Sequence, residues 1–279
     1  MKSFEGKVAA ITGAGSGIGR GLALELGRRK CNLALSDINE TGLQETVAQV
    51  RDLGVQVTSQ RVDVADRAAV YAWADQVARD HGKVNLIFNN AGVALGSTVE
   101  KISYEDFEWL MNINFWGVVY GTKAFLPHLK ATGDGHIINI SSVFGLAGIP
   151  SQSAYNSAKF AVRGFTESLR QELDMLGYGV SASSVHPGGI KTSIARSSRM
   201  DDSIRDLGLG REGMDTREVF EKSFITSADK AAKTIVDGVQ RNQRRILVGP
   251  DARVYDWMVR LLPTSYQRIA VRYARFTAK

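Results

Sequence analysis

The chain has 279 residues, 44% of them hydrophobic, with one cysteine and a formal net charge of +6. It can bury a large core, its lone Cys31 excludes an internal disulfide and suits a reducing compartment, and no apolar run nears the ~20 residues that cross a bilayer. The basic excess sits in residues 241–279, which hold nine basic and two acidic residues, so the remainder sums to −1 and no basic reading element for nucleic acid stands out.

Lys7-Val8-Ala9-Ala10-Ile11 already reads as a strand, leaving no room for a signal segment, so a cytoplasmic protein is expected. Short β-rich runs alternate with amphipathic segments throughout, which predicts a doubly wound α/β fold in one domain spanning 1–279. The first strand runs into Thr12-Gly13-Ala14-Gly15-Ser16-Gly17-Ile18-Gly19. Glycines there let the backbone approach a pyrophosphate, and the helix from about Gly17 aims its free N–H groups at that anion. Because Ile18 falls where the last glycine of G-x-G-x-x-G belongs, the spacing reads T-G-x-x-x-G-x-G. Leu22, Leu24 and Leu26 carry the helix onward.

The second strand, Asn32-Leu33-Ala34-Leu35-Ser36, ends at Asp37, about twenty residues past the glycines, where a carboxylate accepts hydrogen bonds from adenosine ribose hydroxyls. It would repel a 2′-phosphate by ~4 kcal/mol at ~4 Å in an effective dielectric of ~20, which predicts NAD over NADP. Arg28, Arg29 and Lys30 lie just upstream and leave NADP open. The bland alternative for Asp37 is a helix cap or turn. Leu43, Val47, Val50 and Leu53 stripe the next helix, Val55-Gln56-Val57-Thr58 reads as a strand leading to Asp63-Val64, and Val70, Trp73, Ala74 and Val77 mark another helix. Val84-Asn85-Leu86-Ile87-Phe88 is a strand ending at Asn89-Asn90-Ala91-Gly92, the position where open α/β sheets bind ligands. Helices over about 103–113 and 115–131 meet around Asn112-Ile113-Asn114. Ile137-Ile138-Asn139-Ile140 leads to Ser141-Ser142, a helix spans about 153–176, and Val180 to Val185 runs into His186-Pro187-Gly188-Gly189. Ser227 to Val239 reads as a capped helix and Ile246-Leu247-Val248 as the last strand. His81, His128, His136 and His186 show no ligand spacing, so no metal is expected.

The helix over 153–176 carries Tyr155 and Lys159, four residues apart and so on one face. A phenol ionises near pH ~10, too high for a base at neutrality. An ammonium ~5 Å away at an effective dielectric of ~20 favours the phenolate by roughly 3 kcal/mol, about two pK units, which would bring it into range for proton exchange with an alcohol or ketone. Taken alone, such a pair is as readily one buried tyrosine and one solvated lysine.

Thr12-Gly13…Gly17…Gly19, Asp37, Asp63, Asn89-Asn90-Ala91-Gly92, Asn114, Ser142, Tyr155, Lys159 and Pro187-Gly188 together resemble the short-chain dehydrogenase/reductase family. The pattern covers residues 7 to about 195 in order and spacing. The resemblance implies a Rossmann-type sheet of about seven parallel strands and an NAD-dependent interconversion of an alcohol and its carbonyl compound. By that likeness Tyr155 exchanges the proton with the substrate oxygen, Lys159 lowers its pKa and holds the nicotinamide ribose, and Ser142 hydrogen-bonds the substrate oxygen. Asn114 would anchor, by backbone or side chain, a water joining Lys159 to solvent. Gly13, Ser16, Gly17, Ile18, Gly19 and Asp37 would line the adenosine and pyrophosphate, and Asp63 and Val64 the adenine. Asn90, Ala91 and Gly92 would back the ribose, and Pro187, Gly188, Ile190 and Thr192 the nicotinamide end. Ser141 competes with Ser142, and the spacing to Tyr155 favours Ser142. A homodimer or homotetramer is expected.

After the core at 1–190, residues 190–225 are polar and charged, and the resemblance implies a substrate lid there, with a disordered surface loop as the bland alternative. In the basic extension 241–279, Val254, Trp257, Met258, Leu261 and Leu262 make an apolar helical stripe that Pro263 breaks and Ile269, Tyr273 and Phe276 resume, with Arg268, Arg272 and Arg275 between them. Packing on the body or a sister subunit is favoured over membrane contact, and the tail is expected to shape a site for a bulky apolar alcohol. The main alternative reading is an NAD-binding sensor or scaffold without turnover. A sugar epimerase or dehydratase would need a different glycine spacing and a larger C-terminal domain.

Overall fold

Val8–Thr12 (β1) is apolar along its length because both of its faces are covered. Val8 and Ala10 join the core on one side of the sheet, Ala9 and Ile11 the core on the other. The structure is a computed structural model and describes residues 3–208 and 224–277, with side chains as far as Arg272. In chain order it continues through α1 (Gly17–Arg28), β2 (Asn32–Asp37), α2 (Glu40–Arg51), β3 (Val57–Arg61), α3 (Arg67–His81), β4 (Leu86–Asn89) and α4 (Tyr104–Met111). A π-helical turn at Asn112–Trp116 leads directly into α5 (Gly117–Thr132), followed by β5 (Gly135–Ile140), α6 (Ser153–Leu176) and β6 (Val180–Pro187). The last elements are α7 (Ala228–Gln240), β7 (Arg245–Val248), α8 (Pro250–Leu261) and α9 (Tyr266–Thr277).

The seven strands form one parallel sheet in the order β7-β6-β5-β4-β1-β2-β3. The chain therefore winds outward in both directions from the β1–β4 pair, where Ala9 lies opposite Leu86 and Ile11 opposite Phe88. This is the Rossmann order, with its crevice at the carboxyl ends of β1 and β4. Leu22, Leu26, Leu43, Val47, Ile235 and Val239 cover one face from α1, α2 and α7. Trp73, Val77, Phe125, Leu129, Leu169 and Leu173 cover the other from α3, α5 and α6. Gly21 lets α1 and α7 approach closely, since a Cβ there would stand 3.1 Å from the Ala228 carbonyl oxygen.

Three elements depart from expectation. The strand expected at Val55–Thr58 runs from Val57 to Arg61, with Leu33 opposite Val57 and Asp37 opposite Arg61. It is an edge strand, so polar Ser59, Gln60 and Arg61 extend it without an apolar alternation to announce them. The two helices expected to join near Asn114 are continuous. The extra residue is absorbed as the π turn, with fully buried Asn114 inside it. In the C-terminal extension Val254, Trp257, Leu261, Leu262 and Ile269 face outward. The inner face of α8 is instead Ala252, Tyr255 and Asp256, because Asp256 pairs with Arg245 on β7 (2.8 Å) and that polar anchor sets the helix's rotation. Among the predicted tail residues, the side chains of Tyr273, Arg275 and Phe276 lie outside the described residues, as do residues 209–223 of the expected lid.

Two histidines are buried on neighbouring strands. His136 on β5 bonds the Ser183 hydroxyl through Nε2 (2.8 Å), and His186 on β6 sits between the Ser184 hydroxyl (3.0 Å) and the Ser142 carbonyl oxygen (2.9 Å). Burial pushes His136 down to about 3 and His186 down to about 4. Both fold neutral while the unfolded chain takes up protons below about pH 6.5, so stability falls with pH from there. Each should lose about 2 kcal/mol between pH 7 and pH 5, roughly 4 kcal/mol together. Arginine-paired carboxylates such as Glu167 and Asp256 are held below their usual range and lose stability only at lower pH. Urea unfolding at the two pH values checks this, with His136→Gln expected to halve the slope.

Candidate active site

The carboxyl ends of β1, β4, β5 and β6 open into one cavity of about 660 Å³. It gathers all the sequence-predicted residues except Gly19 and Asn114. At one end lies the glycine turn. Gly13 and Gly17 hold left-handed φ values of +66° and +50°, and a Cβ on Gly13 would press within 2.8 Å of Ala91 Cα. Gly19 is a packing glycine, since a Cβ there would stand 1.9 Å from the Gly13 carbonyl oxygen. Ser16 precedes α1 without capping it, so the first-turn N–H groups of that helix face the cavity unsatisfied by a side chain. Thr12 Oγ1 accepts from the N–H groups of Asn90 and Ala91 (both 3.0 Å). Asn90 Nδ2 donates back to the Thr12 and Gly13 carbonyls (2.9 and 3.1 Å). The Asn90 side chain thus stitches β4 to the turn, and its ligand-facing parts are backbone.

Asp37 closes the far end. Its Oδ2 accepts from Gly15 N and its Oδ1 from Asn39 N, both at 2.8 Å, which fixes the carboxylate in the cavity wall. It is not the cap of α2, because Asn39 is. The basic trio upstream has no part in the cavity. Arg29 pairs with Glu25 and Asp237, Arg28 with Glu25, and Lys30 Nζ donates to Leu53 O (3.3 Å). Asp63 turns its Oδ1 to Ala65 N (2.9 Å) beside Val64 on the cavity rim. A helix terminus with free N–H groups, a glycine cradle that a Cβ would fill and a fixed carboxylate fit a dinucleotide.

At the other end stand Ser142, Tyr155 and Lys159. Ser141 turns inward and donates to Lys159 O (2.8 Å), whereas the Ser142 hydroxyl accepts from Phe144 N (3.1 Å) and lines the cavity with Tyr155. The Phe144 ring meets the Tyr155 ring edge-on at 6.0 Å. Lys159 is 4% exposed, its Nζ donates to Ile140 O (3.0 Å), and it sits 5.5 Å from the Tyr155 ring centroid. Burial pushes Tyr155 up to about 12, against the pull of the Ser142 side chain, and pushes Lys159 down to about 8. Burial thus acts against the pull expected of Lys159 on the phenol. It disfavours the charged form of each group, so the phenol and the ammonium are both pushed toward their neutral forms. Asn114 does not reach the cavity. Its Oδ1 accepts from Val93 N and its Nδ2 donates to Val93 O, both at 2.8 Å, so the side chain is spent clamping the strand-end loop. A Cβ on Gly92 would lie 3.1 Å from Asn114 Oδ1 and 3.6 Å from Lys159 Nζ, which places both groups against that glycine.

Several residues that sequence reasoning missed belong here. His186 Nδ1, which must carry a proton to face a carbonyl, holds the Ser142 backbone. Asn156 staples the loop after β5 by bonding Phe144 O, Ala147 O and Ile149 N. Asp251 of α8 accepts from Gly189 N (2.6 Å) and, with Tyr255, lines the cavity. The Tyr266 hydroxyl of α9 accepts from Gly148 N (3.0 Å). Arg199 pairs with Asp106 and lies 3.6 Å over the Trp109 ring, tying the described part of the 190–208 segment to α4. Among the described residues, no three of His, Cys, Asp and Glu come together as a metal site.

Sheet order, glycine turn and fixed carboxylate define a dinucleotide-binding α/β protein with a serine–tyrosine–lysine cluster at the far end of the cavity. A family model described as short chain dehydrogenase matches residues 7–203, and the chain belongs to the short-chain dehydrogenase/reductase family of oxidoreductases. It is similar to SadH of Mycobacterium tuberculosis, named an oxidoreductase without a stated substrate, with 51% identity over 99% of this chain and 98% of the relative. Human 17-beta-hydroxysteroid dehydrogenase 13 is 31% identical over 94% of this chain and 81% of its own. A Burkholderia phymatum short-chain dehydrogenase/reductase, solved in complex with NAD, superposes with a TM-score of 0.84 at 33% identity, covering 96% of both chains.

Tyr266→Phe leaves the Gly148 N–H without its acceptor and loosens the loop that walls the cavity. We expect KM for a bulky substrate to rise about five- to tenfold with kcat and cofactor affinity near wild type. Steady-state kinetics with varied substrate, then varied cofactor, checks it.

Proposed function

We propose that this chain is an NAD-dependent oxidoreductase interconverting a secondary, apolar alcohol and its ketone. The observation that carries the reading is the convergence of Ser142, Tyr155 and Lys159 on the cavity whose other end is the glycine turn and Asp37. When bound, NAD supplies the hydride acceptor or donor. Gly13, Ser16, Gly17, Ile18 and the α1 N-terminus would hold its pyrophosphate, Asp37 the adenosine ribose, Asp63 and Val64 the adenine. Asn90, Ala91 and Gly92, with Lys159, would back the other ribose, and Pro187, Gly188, Ile190 and Thr192 the carboxamide end. The Ser142 hydroxyl donates to the substrate oxygen and orients it. The Tyr155 phenol gives its proton to the carbonyl oxygen in reduction, and its phenolate takes the hydroxyl proton in oxidation. Lys159 sets the local field, and Asn114 acts as a positioning residue through Val93.

Val143, Phe144, Ile194, Phe224 and Tyr255 make the substrate end apolar, which supports a bulky hydrocarbon-rich substrate, and the resemblance to a hydroxysteroid dehydrogenase supports the same class. The exposed Trp116, stacked on Tyr120 at 5.9 Å beside Tyr71, supports assembly as a homodimer or homotetramer. A reduced, buried Cys31 supports a cytoplasmic setting. The test is NADH fluorescence across secondary alcohols of graded size and apolarity. Efficiency rising with apolar bulk is expected. NAD binding without turnover of any of them would leave a sensor or scaffold in its place.

A further inference from the structure

The two C-terminal helices show an outer face that none of the described residues covers. On α8, Val254, Trp257 and Leu261 recur along one side and are 66%, 64% and 69% exposed. Leu262 beside Pro263 and, on α9, Ile269 stay exposed, and Val271 is exposed on the opposite flank of α9 with Arg268 and Arg272 between it and Ile269. The exposed charges beside them are Arg253, Arg260, Arg268 and Arg272. The only acids after Gly249 are Asp251 and Asp256, and both point inward, one to Gly189 N and the other to Arg245 and Arg260. Among the described residues Arg253, Arg268 and Arg272 form no ion pair, so the face is apolar and cationic with no compensating anion.

The geometry points to α8 and α9 as a docking face for an anionic lipid surface. Trp257 and the leucines enter the headgroup boundary while the arginines meet lipid phosphates. A second copy packed by two-fold symmetry would set these arginines against themselves, which disfavours that occupant. Contact is peripheral, since among the described residues no helix is long and apolar enough to cross a membrane. The inner side of the same helix carries Asp251 and Tyr255 into the cavity wall, so docking sets the cavity beside the bilayer. Lipid binding stands apart from the catalytic chemistry, and its test reads partition rather than turnover.

The full chain is floated with vesicles of phosphatidylcholine plus phosphatidylglycerol and, separately, of phosphatidylcholine alone, at low and at high salt. Flotation with the anionic vesicles, weakened by salt, is expected. Arg268→Glu with Arg272→Glu should lower the partition about thirtyfold, and Trp257→Glu with Leu261→Glu by about tenfold or more. Thermal unfolding monitors the fold, and if the α8 pair fails to fold, the exposed α9 arginines carry the test. Failure to float with anionic vesicles overturns the proposal, as does flotation unchanged in both variants. So does an α8 variant that splits an oligomer in sedimentation while the parent chain ignores vesicles, which would give the face to a second copy.

Discussion

Tyr155→Phe is expected to lower turnover by about a thousandfold or more while NAD affinity stays within about twofold, since loss of a positioned proton donor costs 10²–10⁴. The substitution deletes one hydroxyl. The ring keeps its edge contact with Phe144, and Lys159 keeps its bond to Ile140 O, so the cavity stays built. Tyr255, the other tyrosine in the cavity wall, comes from α8, and the Ser142 hydroxyl is too weak an acid to serve alone. Ser142→Ala, which removes orientation but leaves the acid, should cost less. Turnover persisting in the phenylalanine variant would remove Tyr155 from the chemistry.

The same residue sets a pH dependence whose sign follows from its burial. With the phenol pushed up to about 12, carbonyl reduction has its proton donor across the neutral range and should run flat there. Alcohol oxidation needs the phenolate, present at pH 7 as roughly one part in 10⁵, so its rate should climb close to tenfold per pH unit between pH 7 and 9. An oxidation profile that levels off near neutrality would mean that Lys159 outweighs desolvation, as the four-residue spacing alone suggests. Initial rates in both directions across that range separate the two.

The sheet and the cofactor end were legible because their signals are local. β1 and β4 are apolar at successive positions, and the glycines that need left-handed φ or close approach follow directly in the chain. The Asp37 position is a spacing from those glycines. What escaped is held by partners far apart in sequence. Asn89 bonds Asn139 and Thr122, and Asn139 bonds Thr166, a buried polar web across β4, β5, α5 and α6 whose members look ordinary one by one. His186 reaches Ser142 and Tyr266 reaches Gly148 with no periodicity to mark either pair. The rotation of α8 stayed open for a related reason. Its apolar stripe implied a packed face, on the body or on a sister subunit, but the part-buried Arg245–Asp256 ion pair decides which side turns in, and a stripe cannot report a salt bridge to another element.

Asp37→Ser should move the ratio of kcat/KM for NADP over NAD upward by 10²–10³. A carboxylate within ~4 Å of a 2′-phosphate costs ~4 kcal/mol per unit charge at an effective dielectric of ~20, about 10³ in ratio, and solvent at this half-buried site screens part of it. The geometry makes that repulsion hard to escape. Both Asp37 oxygens are tied to backbone N–H groups at Gly15 and Asn39, so the carboxylate cannot swing aside to admit a phosphate. The basic residues near the glycine turn in sequence do not take its place, and the exposed cation that stands near is Arg61, opposite Asp37 on β3. Arg20, the nearest guanidinium in sequence to the glycine turn, is spent on the Gly15 carbonyl (2.6 Å), Glu45 and Thr46, and the Arg28-Arg29-Lys30 run points elsewhere. Serine therefore relieves NADP, and most of the expected change should come from a lower KM for NADP, joined by a loss of about tenfold for NAD as the ribose hydroxyls lose a charged acceptor. A wild-type chain that already prefers NADP, or a serine variant whose ratio is unmoved, would place the adenosine ribose away from Asp37. The glycine turn would then bind its dinucleotide in some other register.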